Sequence, residues 1–327
     1  MIDLIKCVKD SLSCYEVAEM VERNSLSRDS EAGKACYSNK RMKNLKQSDG
    51  IFINIDTGGK LKFEGSIHKY YNVKEVEERQ NYNLFSMKQA RKTMTELLSD
   101  KTVPTSRMKI RYYEIGLNLE LPQDCIKYLM KMKYLMAKKG RKKFYKNPKF
   151  KQERTITTEF SDDIRINYRG YDKIFEIKSK KKKGDELNLY LLNKNILRIE
   201  TVCKRVEKQY ISNFFSKQNL RKVQEAFFRD WENVEFEQDI ICPPNTGRTR
   251  KIIISDLITT GKDETLRIAK EEHKKGKLSD KEYRGTREFI QNDWESFKAE
   301  IRVEQCKEEK EYRKELERLK TILFKNL

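Results

Sequence analysis

"GIFINIDTGGKLKFEGSIHKYYN" (Gly50–Asn72) holds two runs in which apolar and polar residues alternate, joined by Asp56-Thr57-Gly58-Gly59. Alternation at a period of two marks half-buried strands, and glycine supplies the positive φ of a tight turn. The stretch therefore predicts a β-hairpin. Outward from it, Met1–Val8 reads as an opening strand and "NSLSRDSEAG" as a loop or short helix. "RMKIRYYEIGLNLELP" is a long alternating strand stopped by Pro122. "TITTEF", "IRINYRG" and "YDKIFEIKS" continue as strands, and "ILRIETVCKRV" as a strand or strand–helix junction.

Helices interrupt this pattern. "SMKQARKTMTELLSD" has Ser86 as its N-cap and apolar residues at helical spacing. "QDCIKYLMKMKYLMAKKG" reads as an amphipathic helix closed by Gly140. Arg141 to Arg154 is a basic loop interleaved with aromatics, and "KKKKGDELNLYLLNKN" a lysine run leading into a short helix. Beyond about residue 208 the pattern is mostly helical, with one turn-rich break at "PPNTGRTRK". It ends in "EEKEYRKELERLKTILFKNL", whose Leu316, Leu319, Ile322 and Leu323 form a stripe that packs on its own domain or pairs with another chain. No internal repeat is visible. The expectation is an α+β fold: an antiparallel sheet with flanking helices over residues 1–208, then a mainly helical domain over 209–327.

Charge narrows the partners. The 327 residues carry 71 Lys+Arg against 51 Asp+Glu, a net +20. Such a surplus attracts a polyanion, nucleic acid first, because each neutralised phosphate releases a counterion. No apolar run approaches the ~20 residues of a membrane-spanning helix, and the N-terminus lacks an export signal. Seven scattered cysteines without a CxxC pair point away from a disulfide framework or zinc site, towards reduced thiols in a cytoplasm.

Strand alternation also groups polar residues. In "LKFEGSIHKY" one face carries Lys62, Glu64, Ser66, His68 and Tyr70; in "YYEIGLNLEL" one face carries Tyr112, Glu114, Gly116, Asn118 and Glu120. If these strands share a sheet, His68 comes near Glu114 and Asn118, and Gly116 leaves room for a close approach. Imidazole nitrogen with carboxylate and amide oxygen suits Mg²⁺ or Mn²⁺. A plain solvated sheet face fits the same alternation.

Five motifs in order, "EGSIHKYYN", "NYNLFS", "KIRYYEIGLNLEL", "YDKIFEIK" and "NILRIE", resemble the filamentous-phage gene II/gene X type of phage and plasmid replication proteins, a branch of the rolling-circle initiators. The resemblance covers about residues 1–208. It implies a sheet-based nicking domain that binds single-stranded or supercoiled origin DNA and cuts one strand with a tyrosine. The protein would stay on the 5′ phosphate and leave a 3′ hydroxyl for the host helicase and polymerase. Related initiators carry two histidines flanking one hydrophobic residue on a strand; this chain has no such pair. A metal, Mg²⁺ or Mn²⁺, would then rest on His68, Glu114 and Asn118.

For the nucleophile, Tyr190 in "LNLYLLNKN" has Lys194 at i+4 and lies between "YDK" and "NILRIE", where the resemblance places the reactive tyrosine. Tyr171 is the rival, with Lys173 on the same strand face and suited to balance phosphate charge. The ring of Tyr190 could equally pack on the sheet. Two basic runs are expected to meet DNA. Lys142, Lys143, Lys146, Lys180, Lys181 and Lys182 would contact phosphates; Phe144, Tyr145 and Phe150 would stack on unpaired bases. The bland alternative is a non-catalytic DNA- or RNA-binding protein acting at an origin. His273 sits in a charged helix and reads as a surface residue.

Overall fold

The computed structural model describes residues 1–31, 34–39, 49–137, 140–146, 154–158, 165–180, 191 and 193–325. Its strands are β1 (Ile2–Lys9), β2 (Ser27–Glu31), β3 (Lys34–Ser38), β4 (Ile51–Asp56), β5 (Leu61–Ser66), β6 (Lys109–Leu121), β7 (Met132–Ala137) and β8 (Gly140–Lys143). After these come β9 (Tyr145–Lys146), β10 (Thr155–Thr157), β11 (Ile166–Asp172), β12 (Asn195–Tyr210), β13 (Val234–Phe236), β14 (Asp239–Ile241) and β15 (Arg302–Glu304). Ten of them form one sheet in the order β2-β3-β4-β5-β1-β6-β12-β11-β10-β9. Every pairing in it is antiparallel. The α+β class and the β4–β5 hairpin stand as expected, and Gly59 turns that hairpin at φ +74°.

Two compact units emerge: residues 1–236 with 308–327, and residues 237–307. Expectation put the break near 208. The first unit runs on because the helix Lys217–Glu232 packs on the sheet: Trp231 Nε1 donates to Thr201 Oγ1 at 3.1 Å and Tyr168 Oη to Asp230 at 2.8 Å. The final helix, Lys307–Lys325, rejoins the same unit. It buries Leu316, Leu319 and Leu323, while Tyr312 Oη donates to the Trp231 carbonyl at 3.0 Å. The second unit has its own core of Ile254, Leu257, Phe289, Ile290 and Trp294. Residues 237–307 hold 15 Lys+Arg and 14 Asp+Glu, so the +20 surplus belongs almost wholly to the sheet unit.

Four local readings need correction. Residues 141–154, read as a basic loop, carry most of β8, paired with β7, and all of β9, paired with β10. Ser27–Glu31, read as a loop or short helix, is a strand because β3 offers it a ladder. The long helix ending at Gly140 is short: Cys125–Lys131 is helical, capped by Asp124, and Met132–Ala137 is β7 between β13 and β8. Pairing on both edges outweighs helical periodicity there. "YDKIFEIKS" divides likewise: Tyr171 and Asp172 end β11, and Lys173–Lys180 is a helix. The Asp172 carboxylate accepts the Phe175 N–H at 2.9 Å, a cap that turns strand into helix.

Register puts one chemistry on each sheet face. Tyr113, Ile115, Tyr168 and Thr201 share the face under the helix Lys217–Glu232. Glu114, Asn118, Arg198, Glu200, Arg169 and Tyr171 share the other. In β1 the register slips between Ile2 and Ile5. This bulge sets Ile2 and Ile5 on the core side and turns Asp3 to the polar face.

Candidate functional site

A cleft of about 370 Å³ opens on the polar face. Its lining includes Asp3, Glu114, Arg169, Tyr171, Lys173 and Glu200. The elements beneath are β1, β6, β11 and β12, and the helix Lys173–Lys180 forms one wall. Of the expected site residues, Glu114, Tyr171, Lys173 and Lys180 come together here.

Arg198 anchors the floor. It is 1% exposed, and its guanidinium donates to Asp3 at 2.6 Å, Glu200 at 2.6 Å and Asn118 Oδ1 at 3.1 Å. Arg169 reaches Glu114 at 2.8 Å and Glu200 at 3.5 Å. Two arginines thus hold three carboxylates that would otherwise repel each other and suffer from desolvation. Burial, the largest single influence, would raise the Asp3 carboxyl, but the Arg198 charge, the Ser66 hydroxyl and other neighbours together outweigh it and hold the group well below the usual range. Glu114 goes the other way, pushed up by burial and by the neighbouring Glu200 charge. It also accepts a hydrogen bond from Tyr112 Oη.

Tyr171 Oη donates to Glu200 Oε1 at 2.9 Å. Burial first, and then Glu200, push the phenol well above its usual range. Lys173 leaves the strand as the first residue of its helix. Its ammonium meets Glu176 at 2.6 Å and lies 5.9 Å from the Tyr171 ring centroid. Burial, and then Arg198, lower the lysine to about 8. Lys173 in turn brings Glu176 down to about 2 despite its burial.

The metal set does not assemble in this arrangement. β5 ends at Ser66, whose hydroxyl caps the helix Ile67–Val76, so His68 is on a helix and not on a strand face. It lines, with Asn118, a separate cleft of about 250 Å³ that excludes Glu114. There its ring stacks on Phe85 with centroids 4.4 Å apart, and Nε2 meets Asn83 Oδ1 at 2.6 Å. Burial, and next the N-terminal amine, depress it to about 3. Asn118 Nδ2 donates to the Asn81 carbonyl at 3.0 Å, and its Oδ1 receives Arg198. Among the described residues no group of three His, Cys, Asp or Glu side chains can hold a metal ion. The donors of the intended set are committed to other partners.

The remaining expectations divide. Lys194 lines a third pocket with Arg154 and Asp172, and pairs with Glu120 at 2.7 Å. Tyr190, Lys181, Lys182 and Phe150 lie outside the described residues. Lys143, Tyr145 and Lys146 are exposed on β8 and β9, as a DNA contact requires. Phe144 is not: 7% exposed, it packs its ring on Trp231 with centroids 6.1 Å apart. His273 pairs with Asp280 at 2.7 Å on the second unit.

Asp3, Arg169, Arg198 and Glu200 escaped the sequence reading. Alternation in "IRINYRGYD" and "ILRIETV" does carry a signal, since it sets Arg169 with Tyr171 and Arg198 with Glu200. Asp3 carries none, because the bulge changes its phase. In comparison with known proteins, the chain matches no family model and no curated protein. No helix among the described residues is long and apolar enough to cross a membrane.

Proposed function

We propose that this chain is a replication initiator that nicks one strand of origin DNA through a tyrosine, in a rolling-circle mode served by host helicase and polymerase. The observation that carries the reading is the Tyr171–Glu200 hydrogen bond at 2.9 Å beside Arg169 and Lys173. As Tyr171 Oη attacks the phosphorus, Glu200 takes the phenolic proton and the bond from phosphorus to the 3′ oxygen breaks. The leaving oxygen gains a proton from the Lys173 ammonium and departs as a 3′ hydroxyl. The 5′ phosphate stays on the tyrosine, and reversal reseals the strand. Arg169 faces the charge gathering on the non-bridging oxygens; its Nε is buried without a hydrogen-bond partner among the described residues. Tyr190 keeps its place as the other nucleophile the resemblance points to.

His68, Glu114 and Asn118 do not form a cation site as they stand, so the proton and charge changes of this step are assigned to the chain's own side chains. The test is a nicking assay on supercoiled and single-stranded origin DNA, with Mg²⁺, with Mn²⁺ and with chelator. Cutting with protein left on the 5′ end supports the enzyme. The raised Tyr171 phenol favours the second reading, a non-catalytic origin- or RNA-binding protein. Tight binding without any cutting supports that one.

A further inference from the structure

The opposite sheet face holds a second pocket, of about 430 Å³, between β6, β11 and β12 and the helix Lys217–Glu232. Its walls include Tyr113, Ile115, Ile166, Tyr168, Val223 and Phe227. The polar groups inside are already engaged. Asp230 accepts from Tyr168 Oη at 2.8 Å and pairs with Arg229 at 2.9 Å, and Thr201 Oγ1 receives the Trp231 indole at 3.1 Å. Such a pocket offers contact area and ring faces, with few polar groups free to read a hydrogen-bonding pattern. Its mouth is basic: Arg165, Lys222 and Arg229 are exposed, and Lys142 brings the strand β8 to the edge. From Lys142 the chain continues through exposed Lys143, Tyr145 and Lys146.

We propose that this pocket takes one unpaired base of a single-stranded nucleic acid whose backbone runs along β8 and β9. Apolar walls receive the base, and the cations at the mouth hold the flanking phosphates. A phosphodiester strand fits that charge, and the sheet unit carries nearly all of the chain's +20. With the interior polar groups engaged, recognition is by stacking and tolerates any sequence. The proposal rests on the nucleic-acid reading above but not on catalysis, since this pocket and the tyrosine cleft lie on opposite faces.

The test uses a short single-stranded oligonucleotide with one internal 2-aminopurine, the full chain, and the variants Ala226→Phe and Lys222→Glu. Ala226 lines the pocket and is half-buried, so the added ring fills the space a base would take. Wild-type protein should bind the strand and quench the 2-aminopurine emission. Ala226→Phe should bind about ten-fold more weakly, the loss of one stacked base, and leave the emission unquenched. Lys222→Glu, an exposed change, should weaken binding several-fold and make its decline with salt shallower, because fewer counterions are released. Wild-type affinity in either variant, or unquenched emission with wild type, overturns the proposal while leaving the nucleic-acid reading intact. Absence of any single-strand binding by wild type overturns both.

Discussion

The Arg198 guanidinium occupies the space that a side chain on Gly116 would need: a Cβ there would stand 2.4 Å from Arg198 Nη2. Gly116 is thus small to let a neighbouring strand lay its own arginine across β6, where it gathers Asp3, Glu200 and Asn118. Gly116→Ala should displace that arginine and destabilise the fold. Arg198→Ala, which leaves buried Asp3 without its ion partner and Glu200 with Arg169 alone, should cost about 3–5 kcal/mol. Because both act through one contact, Gly116→Ala should cost far less in an Arg198→Ala background. Urea denaturation of the four proteins checks this, and additive costs would refute it.

Tyr171→Phe should abolish nicking if Tyr171 is the nucleophile, and Glu200→Gln should slow it by about 10²–10⁴-fold as a lost general base. Tyr190→Phe measured beside them decides between the tyrosines, read by the covalent label left on the protein. Full activity in Tyr171→Phe with none in Tyr190→Phe would remove Tyr171 from the chemistry.

Lys173 ties activity to pH. Its folded value, about 8, lies below the ordinary lysine range, so the ammonium is lost as pH rises through 8. Nicking that needs that proton should fall above pH 8, and Lys173→Arg should carry the plateau higher. Stability moves oppositely. The unfolded chain binds more protons between pH 8 and the lysine's unfolded value of about 10.4, so this group's contribution to stability rises over that window.

His68 supplies a second pH handle. Held near 3 in the fold, it stays neutral while the unfolded imidazole charges below its usual value of about 6.5. Stability is therefore lost as pH falls from that value towards 3, by roughly 2 kcal/mol at pH 5 relative to pH 7. His68→Gln should flatten this slope in denaturation curves; an unchanged slope would place the titration elsewhere.

The neighbouring aromatics Phe144 and Tyr145 should separate cleanly. Phe144→Ala, deleting a ring packed on Trp231, should cost about 3–5 kcal/mol of stability. Tyr145→Ala should leave stability nearly unchanged and weaken single-strand binding, as thermal melting and anisotropy titrations would read.

Local physics alone determined a good part of this protein. The Gly58–Gly59 turn between alternating runs specifies the hairpin, Ser86 starts a helix as its N-cap, and the charge surplus points to a polyanion whatever the fold. These features depend on neighbours in the chain. Other features rest on partners far away in sequence. "MKYLMA" is a strand because β8 and β13 flank it, although its spacing suits a helix. His68 leaves the polar strand face because a serine cap ends β5 two residues before it. Asp3 faces Arg198 because a bulge changes its phase. Strand register and bulges set which polar groups meet, and their energies come from pairing across the sheet, so the cleft of Tyr171, Glu200, Arg169 and Lys173 was decided only by the tertiary structure.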